Sequence, residues 1–181
     1  MKFLIMGPPK SGKSTLIAKL VNYFVFEKRY SVRGFLTPEV KKSGKRIGFD
    51  IEDINTKERI RLARAEDFDT QYKLGKYCIF IEEFEKYLSQ YDSIQGLNVN
   101  LIVIDEIGKM ELLSFKFQEW IKKKFQLEIP IIATVGLALK HPLKDNILNL
   151  PNIKLLNLNR QNQNEVFQEI IYQISFYFQS H

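Results

Sequence analysis

Cysteine is nearly absent from this 181-residue chain. Cys78 stands alone, so no internal disulfide and no thiolate metal cluster can be built, and the residue reads as a buried thiol. Histidine is as scarce: His141 precedes Pro142 in what reads as a loop, and His181 is the last residue. Neither has a neighbour that would point to imidazole catalysis. Long apolar runs are missing as well, and nothing approaches the roughly 20 residues that a membrane-spanning helix needs. The opening stretch Phe3-Leu4-Ile5-Met6 stops at Gly7 with no small-residue cleavage site behind it, unlike a secretory signal. Repeats, low-complexity tracts and linkers are also lacking, which leaves one domain over residues 1–181. These absences lead us to expect a cytoplasmic monomer with no membrane partner.

The formal net charge of +6 raises the question of nucleic acid. The basic residues are scattered, however, with dense runs only at Lys41-Lys42 with Lys45-Arg46 and at Lys122-Lys123-Lys124. The triplet shares a helical pattern with Trp120, Ile121 and Phe125, so it reads as a solvated helix face. Nucleic acid is a permitted partner and not a required one, since a nucleoside triphosphate gains from the same excess of positive charge.

Phe3–Met6, Leu101–Ile104, Ile129–Val135 and a weaker Ile153–Leu158 are continuous apolar runs, the pattern of strands buried on both faces of a parallel sheet. Helical spacing lies between and after them: Leu16, Ile17, Leu20, Val21 and Phe24; Phe84, Leu88 and Tyr91; Phe117, Trp120, Ile121 and Phe125; Val166, Phe167, Ile170, Ile171, Ile174 and Phe178. The alternation predicts an α/β doubly wound fold. From Val32 to Arg64 the rhythm changes to period two, broken by Lys42-Ser43-Gly44-Lys45 and Asn55-Thr56-Lys57-Glu58, so a small antiparallel meander is expected at 32–64.

Gly7-Pro8-Pro9-Lys10-Ser11-Gly12-Lys13-Ser14 fits G-x-x-x-x-G-K-[ST] between a strand and a helix, the context this phosphate-binding loop requires. Gly7 and Gly12 permit the tight exit and the close backbone approach. The amides of Ser11 through Thr15 are expected to converge on phosphate at a helix N-terminus. Pro8 and Pro9 have no amide hydrogen and stiffen the turn, while Lys10, being non-glycine, is expected at negative φ. Lys13 neutralises the β- and γ-phosphates, and the Ser14 hydroxyl is a hard oxygen ligand for Mg²⁺.

Leu101-Ile102-Val103-Ile104-Asp105-Glu106 ends an apolar strand in two carboxylates. Buried strands rarely do so without a cation or proton to manage. Asp105 is placed to hold Mg²⁺ opposite Ser14, as in a Walker B element, and Glu106 to polarise the attacking water.

The string Val103-Ile104-Asp105-Glu106-Ile107-Gly108-Lys109-Met110-Glu111-Leu112, with Gly34-Phe35-Leu36-Thr37-Pro38-Glu39-Val40 and Arg46-Ile47-Gly48-Phe49-Asp50-Ile51, resembles a family of small nucleoside-triphosphatases. The family was first described from thermophiles and includes a vertebrate cancer-related member. The resemblance implies a RecA-like P-loop sheet, mostly parallel with flanking helices, a catalytic Glu106 beside Asp105, and slow hydrolysis of several nucleotides, ATP and GTP among them. It also implies a base-contacting segment, which here reads Asn159-Arg160-Gln161, with Gln161 where the family carries an acid. Val135-Gly136-Leu137 departs from the more polar residues usual in the family. Lys109 and Arg46 are the candidates for neutralising the departing phosphate. A kinase would use the same loop, but residues 136–152 contain no arginine for a lid; a nucleotide-controlled nucleic-acid-binding switch would need Asp105 and not Glu106.

Overall fold

The computed structural model describes residues 1–93 and 98–180, apart from the Ser93 side chain; His181 lies outside the described residues. Among the described residues, ten strands join one sheet. Its parallel half runs in the order β10 (Ile153–Asn157), β1 (Lys2–Gly7), β9 (Ile131–Gly136), β8 (Leu101–Ile107) and β2 (Val32–Leu36). The antiparallel half continues from β2 through β4 (Lys45–Asp53), β5 (Arg59–Arg64), β7 (Tyr77–Ile79) and β6 (Tyr72–Leu74), and β3 (Glu39–Lys42) pairs with β4.

Side-chain alternation along β1 sorts the core into two layers. Phe3 and Ile5 face α1 (Lys13–Asn22) and α5 (Gln163–Gln179), whose Leu16, Ile17, Ile170 and Ile174 pack in the same buried cluster. Leu4 and Met6 share the opposite cluster with Phe84 and Leu88 of α2 (Ile81–Ser93), Phe117 and Trp120 of α3 (Phe115–Gln126), and Leu143 and Ile147 of α4 (Pro142–Leu148). Helices therefore cover both faces, which is why β1, β8 and β9 are apolar at nearly every position. A one-turn π-helix at Tyr23–Glu27 prolongs α1.

Three details correct or extend the sequence expectation. Val32–Leu36 is the fifth parallel strand, paired with β8, so the antiparallel segment starts after it and runs on to Ile79. His141 ends the loop before α4, as expected, and also has a role there: its Nδ1 accepts from the Leu143 amide at 3.1 Å and caps α4, with Pro142 in the first turn, where a missing N–H costs nothing. The backbone at Lys10 has φ +64° because the Ser11 amide donates to the Pro8 carbonyl at 3.2 Å. That closure makes Pro9 and Lys10 the centre of a turn whose second central residue takes positive φ, as in type II.

Candidate active site

The C-terminal ends of β1, β9 and β8 bring the phosphate loop and the two acids to one edge of the sheet, where ligands of open α/β folds bind. Gly12, at φ +96°, caps α1, and a side chain there would strike the Gln163 amide. The first bond inside the helix runs from the Leu16 amide to the Gly12 carbonyl, so the amides of Lys13, Ser14 and Thr15 have no intrahelical partner and face outward as an anion site. Of the amides expected from Ser11 to Thr15, that of Ser11 donates to the Pro8 carbonyl. Lys13 lies back over the loop, its ammonium donating to the carbonyls of Gly7 at 3.1 Å and Pro8 at 3.4 Å. Gln163 of α5 fastens the loop by donating to the Ser11 carbonyl at 3.1 Å.

Asp105 is 3% exposed. Its carboxylate accepts from Thr134 Oγ1 at 2.5 Å and from the Ser14 hydroxyl, while Thr37 Oγ1 donates to its main-chain carbonyl at 2.5 Å. Burial pushes its proton affinity up, and the two hydroxyls and the Lys13 charge pull it down. A buried carboxylate between hydroxyl donors and one ammonium is a place where a hard cation relieves the desolvation cost. Glu106, joined to it by a cis peptide, is half-buried. Burial and the neighbouring Asp105 raise its proton affinity, and Lys13 opposes them.

Beyond Glu106 the chain turns through Gly108 into a one-turn 3-10 helix, Glu111–Leu113, which carries a third acid. Glu111 is 3% exposed, and its carboxyl is pushed up to about 8 by burial first and the charges of Glu106 and Asp105, against its own amide and that of Gly108. Stability should follow. Below pH 4.5 Glu111 is protonated whether the chain is folded or not. Between pH 4.5 and about 8 the unfolded chain releases this proton and the folded chain keeps it, so stability falls by at most about 1.4 kcal/mol per pH unit until both states are ionised. Glu111→Gln cannot ionise, and its Tm is expected to decline less than the wild type's between pH 5 and 8; parallel melting curves would mean that the folded chain holds Glu111 charged.

The other expected residues are dispersed around this centre. Lys109 is exposed in the turn after β8, and among the described residues it has no ion-pair partner. Arg46, on β4, bonds Glu39 at 2.8 Å and the Tyr77 hydroxyl at 3.1 Å and lies over the Phe49 ring. Its pair with Glu39 is about half exposed, and such pairs contribute about 0–1 kcal/mol. Arg160 Nε donates to the Lys10 carbonyl at 3.3 Å and lines a 310 Å³ cavity with Leu16, Lys19, Gln161, Gln163 and Phe167. The Asn159 side-chain oxygen is engaged by the amides of Gln161 and Asn162 at 2.7 and 3.1 Å, which leaves only its NH₂ group for a base. Thr134, Thr37, Glu111 and Gln163 were assigned no role from sequence. Thr134 left one signal, a hydroxyl inside the apolar run Ile131–Val135; Gln163 left none.

Comparison with known proteins agrees with this fold. A family model described as NTPase matches residues 2–171. The nucleoside-triphosphatase THEP1 of Thermotoga petrophila is 39% identical over 97% of this chain and 94% of its own, and that of Methanocaldococcus jannaschii is 33% identical over 96% and 97%. The crystal structure of THEP1 from the hyperthermophile Aquifex aeolicus superposes with a TM-score of 0.81 at 28% identity, covering 96% of this chain and 99% of that one. The solution structure of a human cancer-related nucleoside triphosphatase gives 0.76 at 29% identity, covering 96% of each. With a loop, an acidic strand and a sheet that fall within the matched span, the chain belongs to the NTPase family of these nucleoside-triphosphatases.

Proposed function

We propose that this chain hydrolyses nucleoside triphosphates to the diphosphate and inorganic phosphate in a Mg²⁺-dependent reaction at the site between the phosphate loop and the end of β8. The observation that carries the reading is the placement of Glu106. It is a half-buried carboxylate next to Asp105 and within the field of Lys13; burial and the Asp105 charge raise its proton affinity above that of an exposed carboxylate, which suits it to take a proton from water. The amides of Lys13, Ser14 and Thr15 bind the phosphates, and the Lys13 ammonium exchanges the loop carbonyls for β- and γ-phosphate oxygens. Ser14 and Asp105 would hold Mg²⁺, their hard oxygens already lying against each other. When bound, Mg²⁺ supplies further positive charge to the phosphate oxygens. Thr134 and Thr37 keep Asp105 in place from the side chain and from the backbone. Lys109 and Arg46 neutralise the departing phosphate, and Arg160 and Asn159 contact the base beside the 310 Å³ cavity.

A kinase would send the γ-phosphate to a hydroxyl. The test is incubation with γ-labelled ATP and GTP, with Mg²⁺, in the presence of candidate nucleoside, nucleotide and polynucleotide acceptors. Label is expected in inorganic phosphate whatever the acceptor, and label recovered in an acceptor at the expense of phosphate would replace hydrolysis with transfer.

A further inference from the structure

The reaction as proposed makes no use of Glu111, although this carboxyl lies beside its base. A Cβ at Gly108 would stand 2.7 Å from Glu111 Oε2 and 2.9 Å from Glu106 Oε1. Only the missing side chain at Gly108 lets two carboxyls approach the same point. Glu111 accepts from its own amide and from that of Gly108; neither bond uses the proton of a neutral carboxyl, which is a donor in need of an acceptor. Water is nearly excluded from it. The charged groups acting on Glu111 are Glu106 and Asp105 of β8; Lys13 reaches those two from α1, and Lys109, in the same turn, is exposed. Ionised, Glu111 would add a third negative charge to a pair already short of positive partners. An aliphatic residue would fill this space without that liability, so the acid calls for a chemical reason.

We propose that Glu111 is a positioning residue for Glu106: a neutral carboxyl that donates its O–H to the Glu106 carboxylate and holds it toward the attacking water. No proton is transferred from Glu111; the water proton goes to Glu106. The inference rests on the hydrolase reading above.

The experiment compares steady-state ATP hydrolysis in Mg²⁺ by the wild type, Glu111→Leu and Glu111→Gln, with binding of a non-hydrolysable ATP analogue measured in parallel. Loss of a hydrogen bond to a charged group corresponds to roughly a 10- to 100-fold effect. Glu111→Leu should therefore lose about that much kcat, with KM and analogue affinity within about 3-fold of the wild type. Glu111→Gln, whose amide N–H replaces the O–H, should recover most of the loss. Should the leucine variant fail to fold, the glutamine variant alone decides: it must hold its kcat above pH 8, where the wild type falls as Glu111 ionises. Glutamine as damaging as leucine, or leucine with wild-type kcat, overturns the proposal. A wild type that releases no labelled phosphate overturns the hydrolase reading itself, a result distinguishable from either.

Discussion

Lys13→Ala is expected to fold normally, bind triphosphate weakly and turn over nothing measurable. In the free protein Lys13 makes two hydrogen bonds to carbonyls of its own loop, at the rim of the site. Their net worth is on the order of 1 kcal/mol each, small against a typical stability of 5–15 kcal/mol. In the proposed complex the same ammonium would face the β- and γ-phosphates. Its loss removes a charge-assisted contact of about 1.5–3 kcal/mol, or roughly 10- to 100-fold in affinity. The rate suffers further, because negative charge on the phosphate oxygens shifts during transfer and fixed positive groups that meet it contribute about 10²- to 10³-fold. Thermal melts, a titration with non-hydrolysable triphosphate and initial rates measure the three quantities separately. Wild-type hydrolysis by this variant would mean that the chemistry happens elsewhere on the chain.

The parallel half of the sheet could be read from sequence because burial on both faces leaves an unbroken apolar run, and β1, β8 and β9 each have one. The weaker run at Ile153–Leu158 is weaker for a reason: β10 is an edge strand, and Leu155 stays 41% exposed. Val32–Leu36 is harder to read as a parallel strand: Arg33 and Gly34 interrupt its apolar character, and its parallel partner, β8, lies about 70 residues away in sequence. Gly34 marks the contact from the other side: at φ +121°, a side chain there would run into the Val103 carbonyl. β6 and β7 have three residues each, too few for a period to show. The Lys10 expectation failed because the steric cost of positive φ was weighed without the turn that imposes it. That cost is about 1–2 kcal/mol, and the Pro8-to-Ser11 closure offsets it.

At the site, what could be read was the chemistry tied to a motif: the loop, Asp105 and Glu106. What could not be read was the support that other strands and helices bring. Thr134 stands against Asp105 because β9 lies between β1 and β8 in the sheet, and Gln163 meets Ser11 from 152 residues away. Glu111 belonged to the quoted string, yet its burial depends on the 3-10 turn that follows Gly108. Such placements are properties of strand order, which local periodicity does not encode.

Glu106→Gln should bind nucleotide nearly as the wild type does and hydrolyse it about 10²- to 10⁴-fold more slowly, the range that positioned general bases contribute. Glutamine keeps the volume and the outline of the side chain, so β8 and the Gly108 turn have no reason to move. It removes one negative charge beside Asp105, which if anything eases the approach of a triphosphate. What it cannot do is take a proton, so the deficit falls on kcat while KM and analogue affinity stay close to wild type. The substitution also divides the competing chemistries. A kinase acting on a bound hydroxyl can draw its base from the acceptor's own surroundings, and a nucleotide-controlled switch needs Asp105 and Ser14 for Mg²⁺ but has no demand for a second acid. Only hydrolysis places Glu106 beside the reacting water, so stopped-flow binding at wild-type rates together with single-turnover cleavage slowed by at least about 100-fold is its signature. If single-turnover cleavage by Glu106→Gln matched the wild type, the water would have to be activated by another group, and the assignment of the base on β8 would fall.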